Sequence, residues 1–97
     1  MSIVDDADEA DAVEAKLAAT AVSRRRTVLA AVNIHGYAVG LRLLDDTARQ
    51  WDSDTLGRRV TEVAEVAHKR YLAGLHIPGT DYPSMQAVAD AEAELDF

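Results

Sequence analysis

The stretch VNIHGYAVGLRL, Val32 to Leu43, decides the fold. Before it, from Thr27, side chains alternate with a period of two: Val28, Ala30 and Val32 point one way, Thr27, Leu29 and Ala31 the other. NIHG then fits a type I turn. Asn33 at its first position can accept from the backbone, and Gly36 at its last tolerates a positive φ. The returning strand places Tyr37, Val39, Leu41 and Leu43 on one face and Ala38, Gly40 and Arg42 on the other. An antiparallel hairpin with one apolar face needs a cover.

The cover is predicted in WDSDTLGRRVTEVAEVAHKRYLAGLH. Ser53 supplies an N-cap, and Leu56, Val60, Val63, Ala64, Ala67 and Tyr71 fall on one helical face. Arg58, Arg59, Glu62, Glu65, Lys69 and Arg70 fall on the other, with Glu65 and Lys69 at the favourable i,i+4 spacing. Gly74 is placed as the C′ glycine, so the helix runs from Asp54 to Gly74. Upstream, DADEADAVEAKLAAT predicts a short acidic helix from about Asp6 to Ala19, and TAVSRRR leads into a first strand. Downstream, HIPGTDYP is a turn-rich connector between helices. A short acidic helix follows from Ser84 to Leu95, with Met85, Val88 and Leu95 on its apolar side. The expected architecture is therefore α+β. It has a small three-stranded antiparallel sheet, a short N-terminal helix, a longer amphipathic helix after the hairpin and a short C-terminal helix. One domain spans residues 1–97, with a core at 20–75, an acidic helix at 1–19 and a turn plus acidic helix at 76–97.

Composition narrows the function. A chain of 97 residues buries only about 60–65% of its unfolded surface. Alanine supplies much of the 48% hydrophobic content and aromatics only 5%, which favours self-association. There is no cysteine, so disulfides, thiolate catalysis and cysteine-based zinc sites fall away. No run of about 18 apolar residues is present to cross a bilayer, and the acidic start is the opposite of a signal peptide's basic one. A cytoplasmic protein is expected. The net charge of −7 is unevenly spread: residues 1–20 carry −5, residues 21–50 carry +3, residues 51–75 balance, and residues 76–97 carry −5.

The basic middle holds one cluster, Arg24, Arg25 and Arg26. It reads either as a phosphate contact or as a solvated turn that protects a sheet edge. The solvated turn is favoured, because phosphate binding usually recruits more charge than three residues. Arg42, Arg58 and Arg59 are the next candidates for nucleic-acid contact. No aromatic residue interleaves with the arginines, so base stacking is poorly supported. His35, His68 and His76 lie in a turn, a helix and a loop, without the paired spacing of a metal site. No nucleophile elbow or phosphate loop is present, so no catalytic role, cofactor or small-molecule substrate is expected. Trp51, the sole tryptophan, and Tyr71 are candidate anchors, for packing within the chain or for a partner.

A hairpin tipped by NIHG, then GLRL, a short acidic linker and a capped amphipathic helix with a basic end together resemble the YbaB/EbfC family of small bacterial proteins. The resemblance covers roughly residues 20–75, and its motifs are loose. It extends to the actinobacterial branch of that fold associated with type VII secretion loci. It implies a helix–three-strand–helix protomer that dimerises through its sheet, with helices projecting like the arms of tweezers. It also implies a non-enzymatic protein that binds DNA as a nucleoid-associated factor or serves as an accessory to secretion. The partner would be a second copy or a paralogue. This chain departs from the family in the shortness of its first helix and in its acidic ends.

Overall fold

A computed structural model describes residues 17–75 and 82–97. Three strands form one antiparallel sheet in the order β1 (Leu17–Val22), β2 (Val28–Asn33), β3 (Ala38–Leu43). Helix α1 (Asp46–Arg49) leads into the long α2 (Ser53–Leu75), and α3 (Met85–Ala93) follows near the end of the chain. The α+β architecture expected from the sequence is the one observed. The N-terminal helix is the exception: Leu17, Ala18 and Ala19 belong to β1 rather than to a helix, and residues 6–16 of that expectation lie outside the described residues. Backbone pairing with β2 outweighs the local helix propensity of LAAT.

The hairpin forms as its residues dictate. Asn33 Oδ1 accepts from the N–H groups of His35 (2.9 Å) and Tyr37 (3.0 Å), and the Gly36 N–H donates to Asn33 O. Gly36 sits at φ 85°, in the left-handed region. A shift of register opposite Ala31 and Val32 then breaks the alternation of β3. Gly40 pairs with Ala31, yet Ala38 pairs with Val32, so Val39 is the extra residue of a β-bulge. The simple two-residue period placed Ala38 on the wrong face. The bulge returns it to the side of Val32, together with Leu41 and Leu43.

The cover differs from the expected one in where it lies. The core gathers Ala21, Val28, Ala30 and Val32 from β1 and β2, Val63, Val66, Ala67 and Ala73 from α2, and Val88, Leu95 and Phe97 from the C-terminal region. Thus α2 lies over β1 and β2, and much of β3 is left uncovered. Leu41 is 50% exposed, Val39 41% and Tyr37 69%. Among the described residues the most deeply buried apolar side chains are no larger than valine, and Leu95 and Phe97 are buried nearer the margin, at 5% and 8% exposure.

The cap of α2 is Asp52 rather than Ser53. Its carboxylate accepts from the Thr55 N–H at 2.7 Å and its carbonyl from Leu56 N–H. The Thr55 backbone bond holds the Asp52 carboxyl below the ordinary range, with Arg58 and Arg59 adding to the effect. Gly74 does not end the helix, which continues to Leu75. In α3, Ser84 caps as expected, accepting from Ala87 N–H at 3.0 Å. Val88 is buried on α3 and Leu95 just beyond its end, while Met85 is 50% exposed.

Candidate interaction surface

The two edges of the sheet are finished differently. Along β1 the N–H and C=O groups of Thr20 and Val22 point away from β2, and side chains from α2 and α3 meet two of them. The Arg70 guanidinium donates to Thr20 O at 2.6 Å, and Glu92 Oε2 accepts from Val22 N–H at 2.9 Å. Arg70 and Glu92 join each other through two bonds of 3.0 and 3.1 Å. The Arg70 bond holds the Glu92 carboxyl below its ordinary value, partly opposed by burial, and the same bond raises Arg70. Guanidinium and carboxylate together stand where a next strand's backbone would lie, so the Thr20–Val22 part of this edge is blocked.

The edge of β3 shows no such contacts among the described residues. Leu44 N–H donates to Thr27 O across the β2–β3 ladder. By alternation Arg42 and Gly40 face β2, and Leu41 and Leu43 present their backbone groups outward. Among the described residues no group from another element meets them. Apolar side chains gather at the same place. Of nine large hydrophobic residues exposed in the described chain, five (Ile34, Tyr37, Val39, Leu41 and Leu44) belong to the segment 34–44. That segment contains no Asp or Glu, although the whole chain carries a net charge of −7. Beside it, between β3 and α2, runs a groove of about 490 Å³ with Val32, Ala38, Val60 and Ala64 in its walls and Glu65 and Lys69 among its polar groups.

The arginines are distributed over several places. Arg24, Arg25 and Arg26 occupy the β1–β2 turn and are exposed, with Arg26 at φ 57°. The C-terminal residues lie against this turn: Arg24 N–H donates to Leu95 O at 2.8 Å and Arg25 N–H to Phe97 O at 2.9 Å. Asp96 stands 3.8 Å from the Arg25 guanidinium in an exposed pair, which contributes little. Arg59 is half-buried, its guanidinium 4.4 Å from the Trp51 ring centre and 5.0 Å from that of Phe97. Trp51 and Phe97 meet edge to face at 5.9 Å. Arg58 is exposed on the first turns of α2, and Arg42 is exposed on β3 opposite Leu29. The tail thus gathers Arg24, Arg25 and Arg59 at one end of the sheet and sets an acid among them, while Arg42 lies apart on β3.

Tyr71 makes its contacts within the chain. Its hydroxyl donates to Ile34 O at 3.0 Å, and its ring lies where a side chain on Gly36 would stand. His68 Nδ1 is 3.2 Å from Gly36 O, so α2 grips the hairpin tip from two positions. His35 is exposed in the turn, and His76 lies outside the described residues. Among the described residues no three His, Cys, Asp or Glu side chains group as metal ligands, and no helix is long and apolar enough to cross a membrane. Arg70, Glu92 and the bare β3 edge were not singled out from the sequence. For the first two the sequence holds no signal, because Val22 and Glu92 are 70 positions apart. The β3 edge has one, the apolar run 37–44, whose alternation points to a covered face.

Comparison with protein-family models, with curated proteins and with solved structures found no match.

Proposed function

We propose that this chain is a non-enzymatic interaction protein of the YbaB/EbfC type that acts as a dimer, presenting its helices and acidic rim to a protein partner. The observation that carries this reading is the segment 34–44, apolar, exposed and free of acid in a chain of net charge −7. A thin valine core supports it, since a small domain gains from burying further apolar surface against another chain. In an actinobacterial setting the reading fits an accessory or regulatory factor associated with secretion. The charge supports a protein partner: two chains at −7 each repel a polyanion unless the field is very uneven.

The exposure of all three arginines on the β1–β2 turn favours one second reading, a nucleoid-associated dimer. It would contact phosphates through Arg24, Arg25 and Arg26 and read no bases. One experiment separates the two. The mass in solution is measured together with duplex DNA binding at about 50 and 200 mM salt. The first reading expects a dimer that binds no DNA even at the lower salt. A dimer whose DNA affinity falls about tenfold or more between the two salts, and is lost when Arg24–Arg26 become alanine, establishes the second reading instead. A monomer at every concentration overturns both.

A further inference from the structure

We propose that Asp96 and Phe97 form a latch on the arginine turn, which a DNA phosphate must displace in order to bind; this rests on the phosphate-contacting reading above and specifies what controls that contact. The first support is what these two residues occupy. Arg25 N–H donates to Phe97 O at 2.9 Å, so a main-chain donor of the turn is taken. The Asp96 carboxylate stands 3.8 Å from the Arg25 guanidinium and sets a negative charge beside the three positive ones of Arg24–Arg26. Phosphate oxygens bind the same two kinds of group, arginine side chains and backbone N–H, so phosphate and latch compete for Arg25.

The second support is the hold of Phe97 on a fourth arginine. The Arg59 guanidinium lies 4.4 Å from the Trp51 ring centre and 5.0 Å from that of Phe97, so Phe97 forms one side of an aromatic clamp. Lifting Phe97 removes that side and adds Arg59 to the cations at this end of the sheet. The third support is the fastening, which divides at Leu95. Up to Leu95 the chain is tied down: Glu92 bonds Arg70 and Val22 N–H, the Leu95 side chain is buried, and Leu95 O accepts from Arg24 N–H at 2.8 Å. Beyond it Asp96 makes only an exposed ion pair, which contributes little. Phe97 is held by its ring and by backbone bonds to Arg25 and Leu95. The last two residues can therefore leave while α3 and Leu95 stay in place.

Trp51, the sole tryptophan, meets Phe97 edge to face at 5.9 Å and so reports the latch without any label. The full chain is titrated with duplex DNA at about 50 mM salt. Trp51 emission should change in step with binding, and the proton–proton contact between the Trp51 and Phe97 rings, read by NMR, should be lost in the complex. Phe97→Ala supplies a second reading. It alters no charge, so a gain in affinity cannot come from the net field of the chain, and it should bind the duplex about tenfold tighter than wild type. A complex that keeps the Trp51–Phe97 contact overturns the latch, as does a Phe97→Ala variant that binds no tighter. In either case binding that is lost when Arg24–Arg26 become alanine leaves the phosphate reading standing. Absence of DNA binding in wild type and Phe97→Ala alike overturns both.

Discussion

Ser23 shows how much one small side chain can hold together. It is 1% exposed, and its Oγ accepts from the N–H groups of Thr27 (3.0 Å) and Val28 (3.1 Å) while bonding the Thr27 hydroxyl at 2.9 Å. Its own N–H donates to Val28 O. Four of its contacts therefore close the β1–β2 turn, and the arginines at 24–26 are displayed on a frame that Ser23 sets. Ser23→Ala would leave two buried N–H groups without their acceptor. The expected cost is about 2–3 kcal/mol, read as a lower urea midpoint with an unchanged slope. Gly36 has a comparable constraint at the other end of the hairpin, because any side chain there would meet both a positive φ and the Tyr71 ring.

The strands and helices then meet through charges as well as apolar faces. At the outer edge of β1, Glu92 from α3 and Arg70 from α2 satisfy backbone groups of a strand to which neither is joined in sequence. Because the Glu92 carboxyl is held below its ordinary value of 4.5, its ionised form stabilises the fold. That contribution is complete above pH 4.5 and is lost as the pH falls through the lower folded-state value. Glu92→Gln keeps an acceptor for Val22 N–H but removes the charge. It should cost about 1–2 kcal/mol at neutral pH. The gap between wild type and variant should close as unfolding is repeated at progressively lower pH. A gap that stays constant down to acid would show that the ion pair adds nothing beyond hydrogen bonding.

For the chain as a whole, the thin core and the exposed β3 strip act together. Among the described residues the most deeply buried side chains are no larger than valine, with Leu95 and Phe97 near the margin, while leucines and a tyrosine remain in water. If association covers the strip, folding and dimerisation share one free energy, and the thermal midpoint must rise with protein concentration. The expected outcome is an upward shift of several degrees over about a hundredfold increase in concentration. An unchanged midpoint would mean that the monomer holds its stability unaided.

Much of this architecture was legible in order along the chain. The two-residue period of β2, Asn33 and Gly36 at the tip, the 3.6-residue stripe of α2 and the Ser84 cap are local patterns, fixed by backbone sterics and by hydrogen bonds over a few positions. Those patterns made the three-stranded sheet and both principal helices readable. The candidate surface was less so. The bulge at Val39 moved Ala38 to the other face, an outcome that a strict period cannot anticipate. The apolar run of β3 looked like core because apolar alternation says that a face is buried somewhere, not which strand the helix will cover. Docking decided that. With α2 seated over β1 and β2, and Arg70 with Glu92 drawn to the β1 edge across 50 and 70 positions of sequence, much of β3 stays uncovered among the described residues. Local sequence determined the elements and their turns, because short-range sterics and hydrogen bonds act on neighbours. The tertiary structure alone decided which strands α2 covers and which backbone groups of β1 are met by Arg70 and Glu92, because that depends on side chains brought together from distant parts of the chain.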